Sequence, residues 1–516
     1  MEKVTWKIDT AKTVYELTCL ARKDEDDYPY AEWYDYTKEE VVIKSYGELR
    51  SDAFGLATFL DEQKGSEDSI RVAMMGLTSY EYEASIIGTM CGRNVSVLLD
   101  PKLAPEDFIK RINFTQAKVV LYDQVFEKMM PELQKACPVV EKFICMNSTT
   151  ENMGESFRSL CDRYAGKKVF QTPDENDVTA ILFTSGTTGE AKGVMLTQKN
   201  LVSNAAKGEE VFPKDWVRLT NLPLFHIFCL SNDLLFGLVW QGTSAINDSM
   251  MHFFQNMKRF RPHTILTVPM IGTAILKTLD RTAAAHPEMD KKAVGVEVTG
   301  GRIETIICGG AKMESSVLDR LDEYGVYSNQ GYGITECSSR ISGDSLRKPT
   351  ASVGKPLPCV EVKIENGEIV VKGDTVSPGY YKNAEATKES FTEDGWFYTG
   401  DLGYMDKEGY LYVTGRKKNL IILSNGENFS PEEIEEKYYL RPIVKDAIVI
   451  QEEDKIVAEV LPDSDYIKTV PGVDPEAEIR KIMEEINSEL PIARRVHELR
   501  IRKEDFKRTT TGKIIR

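Results

Sequence analysis

Between Ser45 and Leu60 the apolar residues Leu49, Ala53, Leu56, Ala57 and Leu60 recur at helical spacing on one face, so the segment predicts a helix packed on a larger body. Short apolar runs follow at Arg71–Met75, Asn94–Leu99 and Lys118–Tyr122, each separated by enough chain for one crossover helix. That is the rhythm of βαβ units and of a parallel sheet. The same rhythm returns at Ala180–Phe183, Thr264–Val268 and Ile303–Cys308, which predicts a second parallel-sheet α/β lobe. From about Val353 the period changes. Val360, Val362 and Ile364 alternate with polar residues, Asn366-Gly367 makes a two-residue turn, and Ile369 and Val371 alternate again, which reads as a hairpin. Strands around Tyr404 and over Tyr410–Val413 flank Asp406-Lys407-Glu408-Gly409 and complete a small antiparallel β unit. After Arg416 the βα pattern is expected to resume, with Leu420–Leu423, a helix opened by Pro431 with Glu432, Glu433 and Glu435 in its first turns, and Asp446–Ile450.

The pattern predicts an α/β protein. A large N-terminal domain, residues 1–415, is built from two parallel-sheet α/β lobes plus the antiparallel β unit, and a small C-terminal α/β domain, whose mobility is implied only by the resemblance given below, spans 416–516. A length of 516 residues exceeds what one hydrophobic core serves and supports this division. The 65 basic against 81 acidic residues leave a net charge of −16, which opposes broad contact with nucleic acid or an anionic membrane. Nine cysteines, with no Cys-x-x-Cys pair, read as reduced structural thiols. Met1 to Tyr30 carries Asp24-Glu25-Asp26-Asp27 and no apolar core behind a basic start. The apolar stretch Ile265–Leu276 is too short and too interrupted to span a bilayer. A cytoplasmic location without integral membrane association is therefore expected. The last 17 residues, Arg500–Arg516, hold seven basic and two acidic side chains, a local positive charge suited to a particular anion or to a solvated end.

Candidate chemistry begins where Ala180-Ile181-Leu182-Phe183 empties into Thr184-Ser185-Gly186-Thr187-Thr188-Gly189-Glu190-Ala191-Lys192-Gly193. Glycines let backbone N–H groups approach an oxyanion, hydroxyls add donors and a lysine adds a point charge, so the loop suits phosphates. It is not a Walker loop, because Lys192 follows Ala191. Gly331-Tyr332-Gly333-Ile334-Thr335-Glu336 lacks the third glycine of a dinucleotide fingerprint. Its carboxylate makes sense beside a phosphate loop if Mg²⁺ bridges the two, and equally as a solvated or capping acid. Tyr398-Thr399-Gly400-Asp401-Leu402-Gly403 places an acid in what reads as a Gly-rich turn. His226, a lone histidine in Pro223-Leu224-Phe225-His226-Ile227-Phe228, packs more often than it reacts, and Lys513 in Thr511-Gly512-Lys513 lies in the tail. Gly343-Asp344-Ser345-Leu346 matches a carrier attachment motif but has no room for a carrier module, and reads as a loop coincidence.

Taken as an ordered set, Thr-Ser-Gly-Thr-Thr-Gly-x-x-Lys-Gly, Gly-Tyr-Gly-x-Thr-Glu, Tyr-x-Gly-Asp, Gly-Arg-Lys-Lys and Thr-Gly-Lys resemble the adenylate-forming superfamily from Ser45 to Arg516. The segments Leu222–Phe228 and Gly415–Asn428 look most like fatty acyl-CoA synthetases, with 4-coumarate–CoA ligases next. The resemblance implies an AMP-forming acid–thiol ligase: a carboxylate, expected to be a medium- or long-chain fatty acid, attacks ATP to give acyl-AMP and pyrophosphate, and coenzyme A then displaces AMP. It further implies that Thr184, Ser185, Gly186, Thr187, Thr188, Gly189 and Lys192 hold the β- and γ-phosphates, Thr335 the α-phosphate and Glu336 the Mg²⁺. Tyr332 would stack on adenine beside Gly309, Gly310 and Ala311, while Asp401 accepts from the ribose hydroxyls with Arg416 assisting. Lys513 would bridge α-phosphate and carboxylate, His226 and Phe228 would face the acid, Lys418 would be the hinge and Gly426 would line the pantetheine tunnel. Phe506-Lys507-Arg508 departs from a proline that many members carry before the basic residue. The alternatives are an acyl-AMP ligase loading a free-standing acyl carrier protein, an aryl acid–CoA ligase, and a non-catalytic nucleotide-binding regulator.

Overall fold

The computed structural model describes residues 6–148, 153–184, 191–208, 212–343, 349, 351–423, 428–453, 455–470, 472–508 and 514, without the side chains of 465 and 469. The predicted first helix spans Tyr46–Gln63. It starts where a capping box allows: the Ser45 hydroxyl accepts from the Glu48 N–H, and the Glu48 carboxylate accepts from the Ser45 N–H. Leu49, Ala53, Leu56, Ala57 and Leu60 are all buried, as their spacing requires. They pack against the helix Tyr80–Cys91, where Gly88 comes so close that a β-carbon there would stand 2.7 Å from the Ala53 carbonyl oxygen. Truncating a side chain such as Leu56 in this contact costs about 2–5 kcal/mol.

Two large sheets form the N-terminal body. The first runs, in spatial order, Gly379–Tyr380, Lys192–Thr197, Val178–Thr184, Val95–Leu98, Arg71–Met75, Val119–Tyr122, Lys142–Cys145 and Glu155–Ser156. Its strands are parallel from Val178–Thr184 to Glu155–Ser156, and Lys192–Thr197 and Gly379–Tyr380 add antiparallel edges. Val95–Leu98 and Val119–Tyr122 are buried throughout, the pattern of strands covered on both faces rather than on one. The second sheet runs Ser328–Gln330, Thr305–Cys308, Thr264–Thr267, Val217–Thr220, Thr243–Ile246, Pro29–Asp35 and Glu40–Ser45. Here every pairing is parallel except the last. One continuous apolar core joins the two lobes through the helices between them.

The hairpin read at Asn366-Gly367 joins Val360–Glu365 to Glu368–Gly373, and Phe397–Met405 and Leu411–Arg416 extend it into a four-stranded antiparallel sheet. The turn expected around Asp401 is instead the middle of the Phe397–Met405 strand. Gly400, at φ +71, supplies the left-handed residue that lets the chain continue past it. Among the C-terminal residues, Glu432–Tyr439 and Pro475–Glu489 pack on a sheet of Val444–Glu452, Lys455–Pro462 and Glu498–Ile501. The βα rhythm expected there is only partly realised. Val444–Glu452 and Lys455–Pro462 pair as an antiparallel hairpin, and only Glu498–Ile501 joins in parallel. Two residues between the first two strands leave no room for the crossover that a parallel pair needs.

Candidate active site

Side chains of interest gather beyond the carboxyl ends of the parallel strands, where open α/β sheets place ligand sites. Thr184 ends the Val178–Thr184 strand and pairs opposite Lys192, the first residue of the antiparallel strand Lys192–Thr197. Ser185, Gly186, Thr187, Thr188 and Gly189 lie outside the described residues. The Lys192 ammonium stands 4.9 Å from the centre of the Tyr380 ring, and the Tyr380 hydroxyl donates to Glu336 Oε1 at 2.9 Å. Strand pairing explains the meeting, since Tyr380 lies on the edge strand opposite Val194. Thr335 and Glu336 sit in the short helical turn Thr335–Cys337, and the Glu336 carbonyl accepts from the Ser377 N–H at 2.8 Å. Burial pushes the Glu336 carboxyl up from its usual 4.5, with Arg416 pulling the other way and Asp401 repelling.

A second cluster adjoins the first. Asp401 is 3% exposed and stands in register opposite Arg416 on the neighbouring strand. Its carboxylate takes Arg416 Nε at 2.8 Å on one oxygen and the Tyr332 hydroxyl at 2.7 Å on the other. Burial, with the Asp401 charge, raises the Tyr332 phenol well above its usual 10. The next lysine, Lys417, pairs with Glu368 at 2.7 Å, and Glu368 also accepts from the Gly400 N–H, so both strands are tied down at the Asp401–Arg416 end of the pair. Lys418 is exposed in the turn Lys417–Asn419 that follows.

Gly309, Gly310 and Ala311 follow the Thr305–Cys308 strand, with the Gly309 N–H bonded to the Thr267 carbonyl. The Phe228 ring covers Gly309 so closely that a β-carbon there would lie 2.6 Å from it. His226 caps the helix start before Phe228, its Nδ1 accepting from the Phe228 N–H at 3.2 Å. The fold thus brings Thr184, Lys192 and Glu336 into one group, Tyr332, Asp401 and Arg416 into another, and Phe228 with Gly309 into a third. Gly426 and Lys513 lie outside the described residues. Tyr380 was not singled out from the sequence; the only local signal was the aromatic pair after Pro378-Gly379. Among the described residues, no cluster of three or more His, Cys, Asp or Glu side chains could hold a metal, and no helix is long and apolar enough to cross a membrane.

Residues 23–381 match the family model described as "AMP-binding enzyme" and residues 418–516 match its C-terminal domain. The chain belongs to the AMP-binding enzymes. It is similar to a 2-succinylbenzoate–CoA ligase of Bacillus cereus (strain Q1), 29% identical over 433 residues that cover 80% of this chain and 81% of the relative. It is also similar to the long-chain-fatty-acid–CoA ligase FadD15 of Mycobacterium bovis, 25% identical over 499 residues that cover 86% and 78% of the two chains. Its fold matches that of the anthranilate CoA ligase AuaEII in complex with anthranoyl-AMP, with a TM-score of 0.84 at 18% identity over 99% of this chain and 96% of that one.

Proposed function

We propose that this chain is an AMP-forming acid–CoA ligase that activates an aryl carboxylic acid. The observation that carries the reading is the convergence of Lys192, Tyr380 and Glu336 with Tyr332, Asp401 and Arg416 beside the Phe228–Gly309 contact. A carboxylate is a poor acyl donor because resonance and charge protect its carbon, and joining it to AMP supplies a leaving group. The first step closes a bond from carboxylate oxygen to the α-phosphorus of ATP and expels pyrophosphate. In the second, the thiol sulfur of coenzyme A attacks the acyl carbon and AMP leaves. Both steps gather negative charge on oxygen, so the protein's contribution is placement and countercharge.

In this reading the segment Thr184 to Lys192 takes the β- and γ-phosphates and Thr335 the α-phosphate. The adenosine lies between Tyr332 and the Gly309-Gly310-Ala311 backbone, with its ribose hydroxyls donating to Asp401. Glu336 fits Mg²⁺. Its half-buried carboxylate is met by a neutral tyrosine hydroxyl, and magnesium takes one or two carboxylates together with phosphate oxygens. When bound, the ion would neutralise phosphate charge. Lys513 bridges α-phosphate and carboxylate, Lys418 is the hinge between domains 1–415 and 416–516, and Gly426 leaves room for pantetheine. The acceptor is coenzyme A, with a free-standing acyl carrier protein as the second possibility, and the cytoplasm is the place of action.

Preference for an aryl acid has two supports. Phe228 offers a flat, uncharged wall over Gly309 on which a ring can pack edge-on or offset, and the 2-succinylbenzoate ligase aligns over most of both chains. A fatty acid, the first expectation from the sequence, keeps the support of the FadD15 relative. Pyrophosphate release measured against benzoate-type, short, medium and long aliphatic acids, with and without coenzyme A, decides between them. We expect turnover on an aryl acid and acyl-CoA only when coenzyme A is present. A preference for palmitate would replace the aryl reading, and no acid-dependent pyrophosphate from any acid would overturn the ligase reading. The half-reactions separate further: Lys513→Ala should slow adenylate formation roughly a thousandfold, about 4 kcal/mol, yet spare thioester formation from supplied acyl-AMP. Gly426→Trp should do the reverse.

A further inference from the structure

Three consecutive polar residues, Ser231, Asn232 and Asp233, are buried inside the helical run 227–240, whose other residues are apolar or glycine. At this point the helix widens into a π-turn over Leu230–Leu235. Such turns are rare and concentrate at functional sites. Each of the three side chains reaches a different element. Ser231 donates to Asn204 Oδ1 at 3.0 Å, on the helix Gln198–Ala206. Asp233 accepts from Arg218 Nε at 2.6 Å and from the Thr220 hydroxyl at 2.9 Å, both on the Val217–Thr220 strand. Asn232 uses its two amide hydrogens on two partners: the Ser339 hydroxyl at 2.6 Å and the Phe228 carbonyl, one turn back, at 3.0 Å.

The Ser339 end of this link is unusual. Directly after the Thr335–Cys337 turn, Ser338 has φ +57 and Ser339 φ +100, a left-handed half of backbone space that residues with a β-carbon enter only when held there. The holding groups are visible: the Ser338 hydroxyl donates to the Thr375 carbonyl at 2.8 Å, Asn204 Nδ2 donates to the Cys337 and Arg340 carbonyls, and Asn232 grips Ser339. Asn232 is not the choice that stability alone would make, because its Oδ1 is buried and has no hydrogen-bond partner among the described residues, an arrangement that costs free energy a leucine would not.

We propose that Asn232 is a positioning residue that couples the acid pocket to the nucleotide site. One amide is bonded to the carbonyl of the residue whose ring covers Gly309 and to the strained segment that presents Thr335 and Glu336. An acid seated against Phe228 shifts that residue's backbone, Asn232 follows, and Ser339 and the Thr335–Glu336 turn settle with it. By linkage the effect is reciprocal: ATP in place tightens the pocket for the acid by the same factor. The inference rests on the reading of the site given above.

The test is the synergy between the two ligands. The dissociation constant of an ATP analogue with a methylene group between α- and β-phosphorus is measured alone and with saturating substrate acid, in the parent, Asn232→Leu, Ser339→Ala and the double variant. We expect the acid to tighten the analogue in the parent. Each single variant should lose at least fivefold of that factor while its affinity for the analogue alone moves less than twofold, and the double variant should be no worse than either single. A purely structural role would lower thermal stability and the active fraction but leave the synergy ratio unchanged, and that result overturns the proposal. So does an active parent with no synergy, or additive losses in the double variant. Should Asn232→Leu not fold, Ser339→Ala, which removes a single oxygen, carries the measurement. Absence of acid-dependent pyrophosphate in the parent would instead refute the reading of the site, and the proposal with it.

Discussion

Two carboxylates stand close together in this protein and live in opposite conditions. Asp401 is almost fully buried, yet both its oxygens are used, one by the Arg416 guanidinium and the other by the Tyr332 hydroxyl. Glu336 has a neutral tyrosine hydroxyl against it, and desolvation pushes its carboxyl upward. Burial costs a charge dearly unless a countercharge and hydrogen bonds replace water. Asp401 has both within the folded chain, which suits the ribose-binding role proposed for it. Glu336 has neither in full, which is the condition the proposed magnesium role requires of it.

Glu336→Gln is the strongest way to break this contrast. It keeps the hydrogen bond to Tyr380 and removes only the charge, so adenylate formation should fall about a thousandfold and the magnesium concentration for half-maximal rate should rise, measured as pyrophosphate release against a magnesium titration. Folding should behave in the opposite sense. The native state holds the Glu336 proton to higher pH than the unfolded chain, so this residue's effect on stability worsens as pH rises above 4.5 and through the raised folded value. Denaturant melts at pH 5 and pH 8 should therefore show Glu336→Gln gaining on the parent at the higher pH. An equal loss of stability at both would show that Glu336 is a structural acid like its neighbour.

Asp401→Ala should do the reverse, lowering the denaturation midpoint because it strands Arg416 and Tyr332. It should also weaken ATP binding by about 2–4 kcal/mol, thirty- to a thousandfold, by the loss of a carboxylate that accepts from two hydroxyls. Near-normal ATP affinity would leave Asp401 with only its role in joining two strands. The tyrosines give a smaller and sharper version of the same test. Tyr332→Phe and Tyr380→Phe each lose one hydroxyl, about 1 kcal/mol or fivefold. The first should appear in the KM for ATP and the second in the magnesium dependence.

The smallest effect concerns a third acid. Glu314 has its carboxyl pushed up to about 7, by burial first and by the Glu436 charge next, with Lys312 opposing. Lys312 is itself paired with Glu436 at 2.8 Å, which places this group between the C-terminal helix Glu432–Tyr439 and the helix Ser315–Glu323. Because the folded value lies above the usual 4.5, stability declines as pH rises from 4.5 through about 7, and Glu314→Gln should remove that decline. Melts from pH 5 to 8 that stay parallel for parent and variant would exclude Glu314 as the source.

Much of this architecture could be read along the chain because the physics behind it is local. The Leu49–Leu60 stripe, the capped start at Ser45, the fully apolar Val119–Tyr122 strand and the Asn366-Gly367 hairpin each depend on residues within a few positions of one another. The motifs were legible for the same reason: a hydroxyl- and glycine-rich loop directly after a buried strand is suited to phosphate wherever the strand lies in the sheet. What only folding decided was the company each motif keeps. Asp401 reads as a turn residue until Arg416 is set opposite it, and Tyr380 has no role until an antiparallel edge strand carries it to Lys192 and Glu336. Asn232 meets Ser339 across 107 positions, and no period or spacing encodes such a meeting. Side-chain periodicity reports which face of an element is buried, whereas the partner across that face depends on how sheets and helices stack, and that is settled by the packing of the whole core.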